Sequence, residues 1–435
     1  MGSFEIRGGR TLSGSITPQG AKNEALQVLC AALLTSQPVT YTNVPDIIDV
    51  NMLIELMEDM GVKVKRPHAN TVILQADEVN PDFFIDKNFK KKSGKLRGAV
   101  MIAGPILARF GKAHIPQPGG DKIGRRRLDT HIRGFEKLGV NFDYNQDESL
   151  FLLDGSNMKG TYFFMEEPSV TGTANIVMAA ALTEGTTTIY NAACEPYVQQ
   201  LCHMINNMGG KISGIGSNSL TIEGVKQLNG CQHRLLADMI EVGSFIGLAA
   251  ATNSAISILN ADVSHLGIIP ETFEKLGIKL EIEGDNIHVA QQDSFRIHKF
   301  IDGSILTVSD HPWPGFTPDL LSIVLVTATQ AKGTLLIHQK MFESRLFFVD
   351  KLIEMGAQIV LCDPHRAVVI GLDRQTALRG ITMVSPDIRA GVALLIAALC
   401  AQGKSIIQNI DQIDRGYEKI DERLNALGAD IRRIN

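Results

Sequence analysis

Residues 111–131 read GKAHIPQPGGDKIGRRRLDTH and gather the most suggestive chemistry in the chain. One carboxylic acid, Asp121, stands beside Lys122 and the run Arg125, Arg126 and Arg127. An acid can deliver a proton, and fork-shaped guanidinium groups hold phosphates and carboxylates. Pro116, Pro118, Gly119, Gly120 and Gly124 interrupt regular structure, so the stretch reads as a long exposed loop without helix or strand. A glycine-hinged loop of this content suits a lid over an anionic substrate. The same charges also fit a solvated basic turn.

Further polar residues open otherwise apolar helices. They are Lys22 and Asn23 in PQGAKNEAL, Arg97 in GKLRGAVM, Ser169, Val170 and Thr171 in EEPSVTGTAN, Asp319 in WPGFTPDLLS, and Asp387 with Arg389 in SPDIRAGV. Helix N-termini present free backbone N–H groups and a positive dipole end, so several converging ends would form an anion site. Asp319 and Asp387 also serve simply as early-helix acids. Arg345 and Arg415 lie in Gly-, Asn-, Ser- or Asp-rich contexts and join Lys22, Arg97, Arg126 and Arg389 as candidate anion ligands. Residues 310–319, DHPWPGFTPD, hold the only tryptophan, Trp313, between prolines. Such a stiff segment could fix the Asp319 carboxylate as a general base. Neither a P-loop nor a GxGxxG signature is present, which argues against a nucleotide triphosphatase or a dinucleotide enzyme.

The elements that must position these residues recur six times. An amphipathic helix ends in Leu-Gly or Met-Gly and runs into a short alternating strand, with Gly61, Gly139, Gly209, Gly277, Gly356 and Gly428 at the junctions, about 70 to 80 residues apart. A small-residue apolar helix and a β-branched bridge such as GTTTIYN precede each one. Six α/β units imply two domains of three, with apolar helices central and sheets outside. The expected division is 22–235, carrying the 111–131 loop, and 1–21 plus 236–435, carrying the base. The two chain crossings, near Gly20 and Ala237, would form a hinge around a substrate cleft.

Composition narrows the class. At 435 residues, 44% hydrophobic and 20% charged, the chain can bury two sizeable cores. A net charge of -5 and the lack of interleaved aromatics disfavour a nucleic-acid binder. The six cysteines lack metal-ligand spacing and read as scattered thiols in a reducing, cytoplasmic setting. No metal or cofactor is expected. No signal peptide or membrane span is evident. Oligomeric state is not legible.

Taken together, GAKNEAL, LRGAVMIAGPILARFG, PGGDKIGRRRLDTHI, SVTGTAN, TPD, FESR, DIRAG and IDRGYE closely resemble the enolpyruvyl transferase family, specifically its UDP-N-acetylglucosamine 1-carboxyvinyltransferases. The resemblance implies two inside-out α/β domains, each of three βαβαββ-like repeats. It implies transfer of the enolpyruvyl group of phosphoenolpyruvate to the 3′-hydroxyl of UDP-N-acetylglucosamine, without metal. Carried over by motif, Lys22, Arg126 and Arg415 hold the phosphate and carboxylate of phosphoenolpyruvate, with Arg389 close by, and Arg345 is a further substrate-binding residue. Asn23, Arg97, Ser169, Val170 and Met341 contact the nucleotide sugar, and Arg126, Arg127, Leu128, Asp129 and Thr130 wrap its diphosphate end. Asp319 is the base, and Asp121 the general acid. Many family members carry cysteine at the Asp121 position. A carboxylate is a poor nucleophile toward epoxides, so resistance to fosfomycin-type drugs is expected. Alternatives are a 5-enolpyruvylshikimate-3-phosphate synthase-like transferase and an RNA-end-processing protein of related fold.

Overall fold

The computed structural model describes residues 2–80, 87–116, 127–147 and 149–434. They form two compact units, a split unit of residues 2–19 with 237–434 and a continuous unit of residues 20–116 with 127–236.

In the split unit, helices Met239–Ala251, Leu321–Ala328 and Ile388–Cys400 pack against one another. The first two are buried along their whole length, and the third along all but Cys400. Alanine, glycine and valine allow this all-round burial, because no face needs a polar stripe. Three four-stranded sheets belong to the same unit. Their strand orders are Leu280–Glu283, Asn286–Val289, Ala255–Ile258, Ser13–Ile16; Leu306–Ser309, Lys332–His338, Arg366–Leu372, Gln358–Asp363; and Thr382–Val384, Lys404–Gln408, Ser3–Arg7, Ile431–Ile434. Strand Ser3–Arg7 therefore lies between two partners, antiparallel to both.

The continuous unit repeats the scheme. Helices Lys22–Ala31 and Val170–Ala180 pack with the segment formed by the 3₁₀ turn Arg97–Ile102 and helix Ala103–Phe110. Its sheets run Gln232–Arg234, Val39–Thr42, Thr71–Gln75, Lys63–His68; Lys112–Pro116, Leu150–Asp154, Asn141–Asn145; and Lys211–Ser213, Ser219–Glu223, Thr186–Tyr190, Tyr162–Phe164. Strands such as Thr71–Gln75 bury alternate residues, so one face, here Val72 and Leu74, enters the core. The six junction glycines all take positive φ, from 92° at Gly277 to 106° at Gly356, which ends each helix and turns the chain into its strand.

One expectation needs correction. The 111–131 stretch is not loop throughout, since Lys112–Pro116 forms a strand and helix Asp129–Lys137 starts inside it. Ala113 and Ile115 bury on alternate positions against Leu150–Asp154, and that pairing outweighs the nearby prolines. Residues 117–126, with Asp121 and Arg126, lie outside the described residues. No helix among the described residues is long and apolar enough to cross a membrane.

Candidate active site

In the split unit, Asp319 sits in the 3₁₀ turn Pro318–Leu320 at the head of the buried helix Leu321–Ala328. Thr317 caps the turn by accepting from the Asp319 amide at 3.4 Å. The carboxylate is gripped from two sides. Arg345 Nη2 donates to Oδ1 at 2.6 Å, and Arg389 Nη2 lies 3.0 Å from Oδ2. All three side chains are largely buried. Burial alone would raise the Asp319 pKa, but the charges of Arg389 and Arg345 outweigh it and hold the carboxyl well below the usual carboxylate range. In this arrangement Asp319 is ionised and each of its oxygens is engaged by a guanidinium, so it is a poor base until a guanidinium is drawn away.

Each arginine is itself set in place. Arg389 lies in the first turn of helix Ile388–Cys400, whose N-cap Asp387 accepts from the amides of Arg389 at 2.8 Å and Ala390 at 3.0 Å. Its guanidinium lies 5.8 Å from the ring centroid of Tyr417. Arg345 stacks at 4.8 Å on Phe342, and its Nε is a buried N–H with no acceptor among the described residues. Arg415 follows the short helix Asp411–Asp414 and donates to Gln412 at 3.0 Å. Met341 is exposed on a turn anchored from below by Asp310. The fully buried Asp310 carboxylate accepts from the Gln339 side chain, the Lys340 amide, and the Met341 amide at 3.1 Å.

The continuous unit holds the other candidates. Lys22 begins helix Lys22–Ala31 and is buried, with Nζ 2.7 Å from Oδ2 of the equally buried Asp49 on helix Ile48–Asp59. Asn23 is half-buried beside it, and its carbonyl accepts from Gln27 at 3.0 Å. Arg97 donates to the Arg127 carbonyl at 3.1 Å. Ser169 caps helix Val170–Ala180 by accepting from the Gly172 amide at 3.1 Å. A Cβ at Gly172 would meet Ser169 at 3.1 Å and Thr130 at 3.2 Å, so these two candidates share one small recess. Leu128 and Val170 are partly buried against the core, whereas Arg127 and Asp129 are exposed.

Beneath them runs a buried polar network. Asn175 donates to the Val100 carbonyl at 2.8 Å and to His131 Nδ1 at 3.0 Å, and it accepts from the Gly104 amide at 2.7 Å. Nδ1 must therefore be the acceptor, which leaves the proton on Nε2 to donate to Thr171 at 3.1 Å. Burial, helped by the Arg97 charge, pushes the His131 pKa down to about 3 and keeps the ring neutral.

The structure thus brings together Asp319, Arg345 and Arg389, Arg97 with Arg127, and Thr130 with Ser169. Asp49, Asp310, His131 and Asn175 escaped sequence reasoning as supporting residues. Asp49 reads as a first-turn dipole acid, and Asp310 as a turn residue before a proline-rich run.

A family model described as EPSP synthase (3-phosphoshikimate 1-carboxyvinyltransferase) matches residues 6–424. The chain is 63% identical over 434 residues to a protein of Bacteroides fragilis named UDP-N-acetylglucosamine 1-carboxyvinyltransferase, covering 100% of both chains. It is 61% identical to the protein of that name from Porphyromonas gingivalis, again over 100% of both, and 47% identical to that of Treponema denticola over 99% of both. Among solved structures, the enolpyruvyl transferase NikO from Streptomyces tendae aligns with a TM-score of 0.87 at 21% identity, over 99% of this chain and 98% of that one. An EPSP synthase from Acinetobacter baumannii aligns with a TM-score of 0.72 at 16% identity, over 100% of both. At those identities the structural matches speak to the fold.

Proposed function

The chain belongs to the EPSP synthase family of enolpyruvyl transferases, and from that premise we propose that it transfers the enolpyruvyl group of phosphoenolpyruvate to the 3′-hydroxyl of UDP-N-acetylglucosamine, releasing phosphate. This is the first committed step of peptidoglycan precursor synthesis, and we place it in the cytoplasm. The observation that carries the reading is end-to-end identity of 61–63% with proteins named for that activity.

The residues take the following parts in the proposal. Lys22, Arg126 and Arg415, with Arg389 and Arg345, bind the phosphate and carboxylate of phosphoenolpyruvate. Asn23, Arg97, Ser169, Val170 and Met341 contact the nucleotide sugar, and Arg126, Arg127, Leu128, Asp129 and Thr130 hold its diphosphate end. Asp319 takes the proton of the 3′-hydroxyl as that oxygen bonds to C2 of phosphoenolpyruvate. Asp121 gives a proton to C3, forming a tetrahedral phospho-ketal. Loss of a C3 proton then re-forms the double bond as the C2–O bond to phosphate breaks. The substrate's own anionic groups compete for Arg345 and Arg389, and an arginine drawn to them frees Asp319 to act.

The test is phosphate release with phosphoenolpyruvate and each of two acceptors. Turnover with UDP-N-acetylglucosamine is expected. Turnover with shikimate 3-phosphate alone would move the chain to the second reading, which the family model's own description keeps in view. Asp121 has its own test, because an aspartate at the acid position should leave the enzyme active after exposure to fosfomycin. A covalent adduct on the intact protein, seen by mass spectrometry, would contradict this.

A further inference from the structure

Gln19 is the last residue of the split unit before the chain passes to Lys22, and it spends every hydrogen-bonding group it has. Its backbone N–H donates to Glu241 Oε2 at 2.6 Å, and its carbonyl accepts from the Asp238 amide at 2.8 Å. Its side-chain Nε2 donates to the Gly416 carbonyl at 2.8 Å, while Oε1 accepts from the Glu418 amide at 2.6 Å. The residue is 7% exposed, so the bonds to Glu241 and Gly416 form away from water, where they are strong and geometrically demanding.

The carboxamide therefore clamps the backbone on both sides of Tyr417, directly after Arg415. Tyr417 is buried, shares a 2.9 Å hydrogen bond with Ser244 on helix Met239–Ala251, and faces the Arg389 guanidinium with its ring. Arg389 in turn reaches Asp319. The foundation beneath Gln19 is equally firm. Glu241 receives Arg423 through both oxygens, at 2.6 and 3.0 Å, and Arg423 also donates to the Thr17 carbonyl at 2.7 Å.

We propose that Gln19 is a positioning residue that sets Arg415 and, through Tyr417, Arg389 for the phosphoenolpyruvate anion. The inference rests on the functional reading above. Its chemistry is specific to a carboxamide. A carboxylate of the same size could still accept from Glu418, but it would face the Gly416 carbonyl with an oxygen instead of a donor. Alanine would remove the partner that each of these two backbone groups finds in the Gln19 side chain.

Three variants, Gln19→Glu, Gln19→Ala and Gln19→Asn, separate positioning from stability. Steady-state phosphate release is measured against each substrate, with thermal unfolding of the same samples. The expected result is a KM for phosphoenolpyruvate raised tenfold or more in Gln19→Glu and Gln19→Ala. KM for UDP-N-acetylglucosamine should stay within twofold. Gln19→Asn, which keeps the amide on a shorter arm, should fall between and serves if the other two do not fold. Equal changes in both KM values, or an unchanged phosphoenolpyruvate KM in any folded variant, would overturn the proposal. Calorimetric titration with phosphoenolpyruvate and with inorganic phosphate needs no acceptor. If the wild type binds these anions but turns over no acceptor, the functional reading fails while a tenfold loss of affinity in the variants still supports positioning. Equal affinity would overturn it, as would absence of binding in the wild type.

Discussion

At the scale of single residues, the tension lies in Asp319, a base whose carboxylate starts out paired with two guanidinium groups. Arg345 and Arg389 keep its pKa low, so in the resting arrangement it stays ionised throughout the working pH range. Replacing Arg345 with methionine removes the cation 2.6 Å from Oδ1 and leaves burial less opposed, so the Asp319 pKa rises. The acidic limb of the kcat profile, where protonation silences the base, should then move to higher pH. An unmoved limb in Arg345→Met would show that another group sets it. His131 offers the opposite case. Its pKa falls to about 3 in the fold, against about 6.5 in an unfolded chain, so the unfolded state binds the extra proton. Its contribution is complete above about pH 6.5 and is lost as pH falls toward 3, with a slope of about 1.4 kcal/mol per pH unit. Chemical denaturation of His131→Gln across this window should show a shallower slope than wild type, and parallel curves would refute the assignment. Asp319 and Arg389 were legible as chemistry because their types are costly at apolar helix starts, and Arg345 because it stands among the cations in Gly-, Asn-, Ser- or Asp-rich contexts. Their meeting was not, since Arg345 and Arg389 lie 26 and 70 residues beyond Asp319 along the chain.

At the scale of elements, punctuation was the most readable feature. The six junction glycines announce a left-handed residue, and at Gly61 a side chain would also strike the Glu78 carbonyl, with its Cβ 2.5 Å away. Strand Lys112–Pro116 was only half legible: the repeat calls for a bridge strand after the apolar helix, but glycine and proline dominate the neighbourhood and the inward pair Ala113 and Ile115 is short. The turn 339–341 was hidden for a different reason, since its anchor Asp310 is remote in sequence and resembles any turn aspartate. Asp310→Asn keeps the shape but puts a donor-bearing amide where three donors converge. The turn that carries Met341 should loosen, with KM for UDP-N-acetylglucosamine rising severalfold and kcat changing less than twofold. A kcat collapse with KM intact would place Asp310 elsewhere in the mechanism.

At the scale of the molecule, strand inventory decides what can stand alone. Residues 20–236 supply every strand of three sheets and the helices that pack beneath them. Expressed alone, this segment should fold and melt cooperatively by circular dichroism. Residues 237–435 lack Ser3–Arg7 and Ser13–Ile16, one strand from each of two sheets, and should fold only when 1–19 is supplied. A cooperatively folded 237–435 without that peptide would contradict the account. Strand Ser3–Arg7 adds a constraint of timing. Its two neighbours, Lys404–Gln408 and Ile431–Ile434, leave the ribosome roughly 400 residues later, on the order of 20–80 s at ordinary elongation rates. Through that interval both of its edges lack these partners and Phe4 and Ile6 lack the core that buries them. A nascent chain therefore carries an unpaired strand through roughly 400 residues of its synthesis, a segment open to mispairing until both partners emerge.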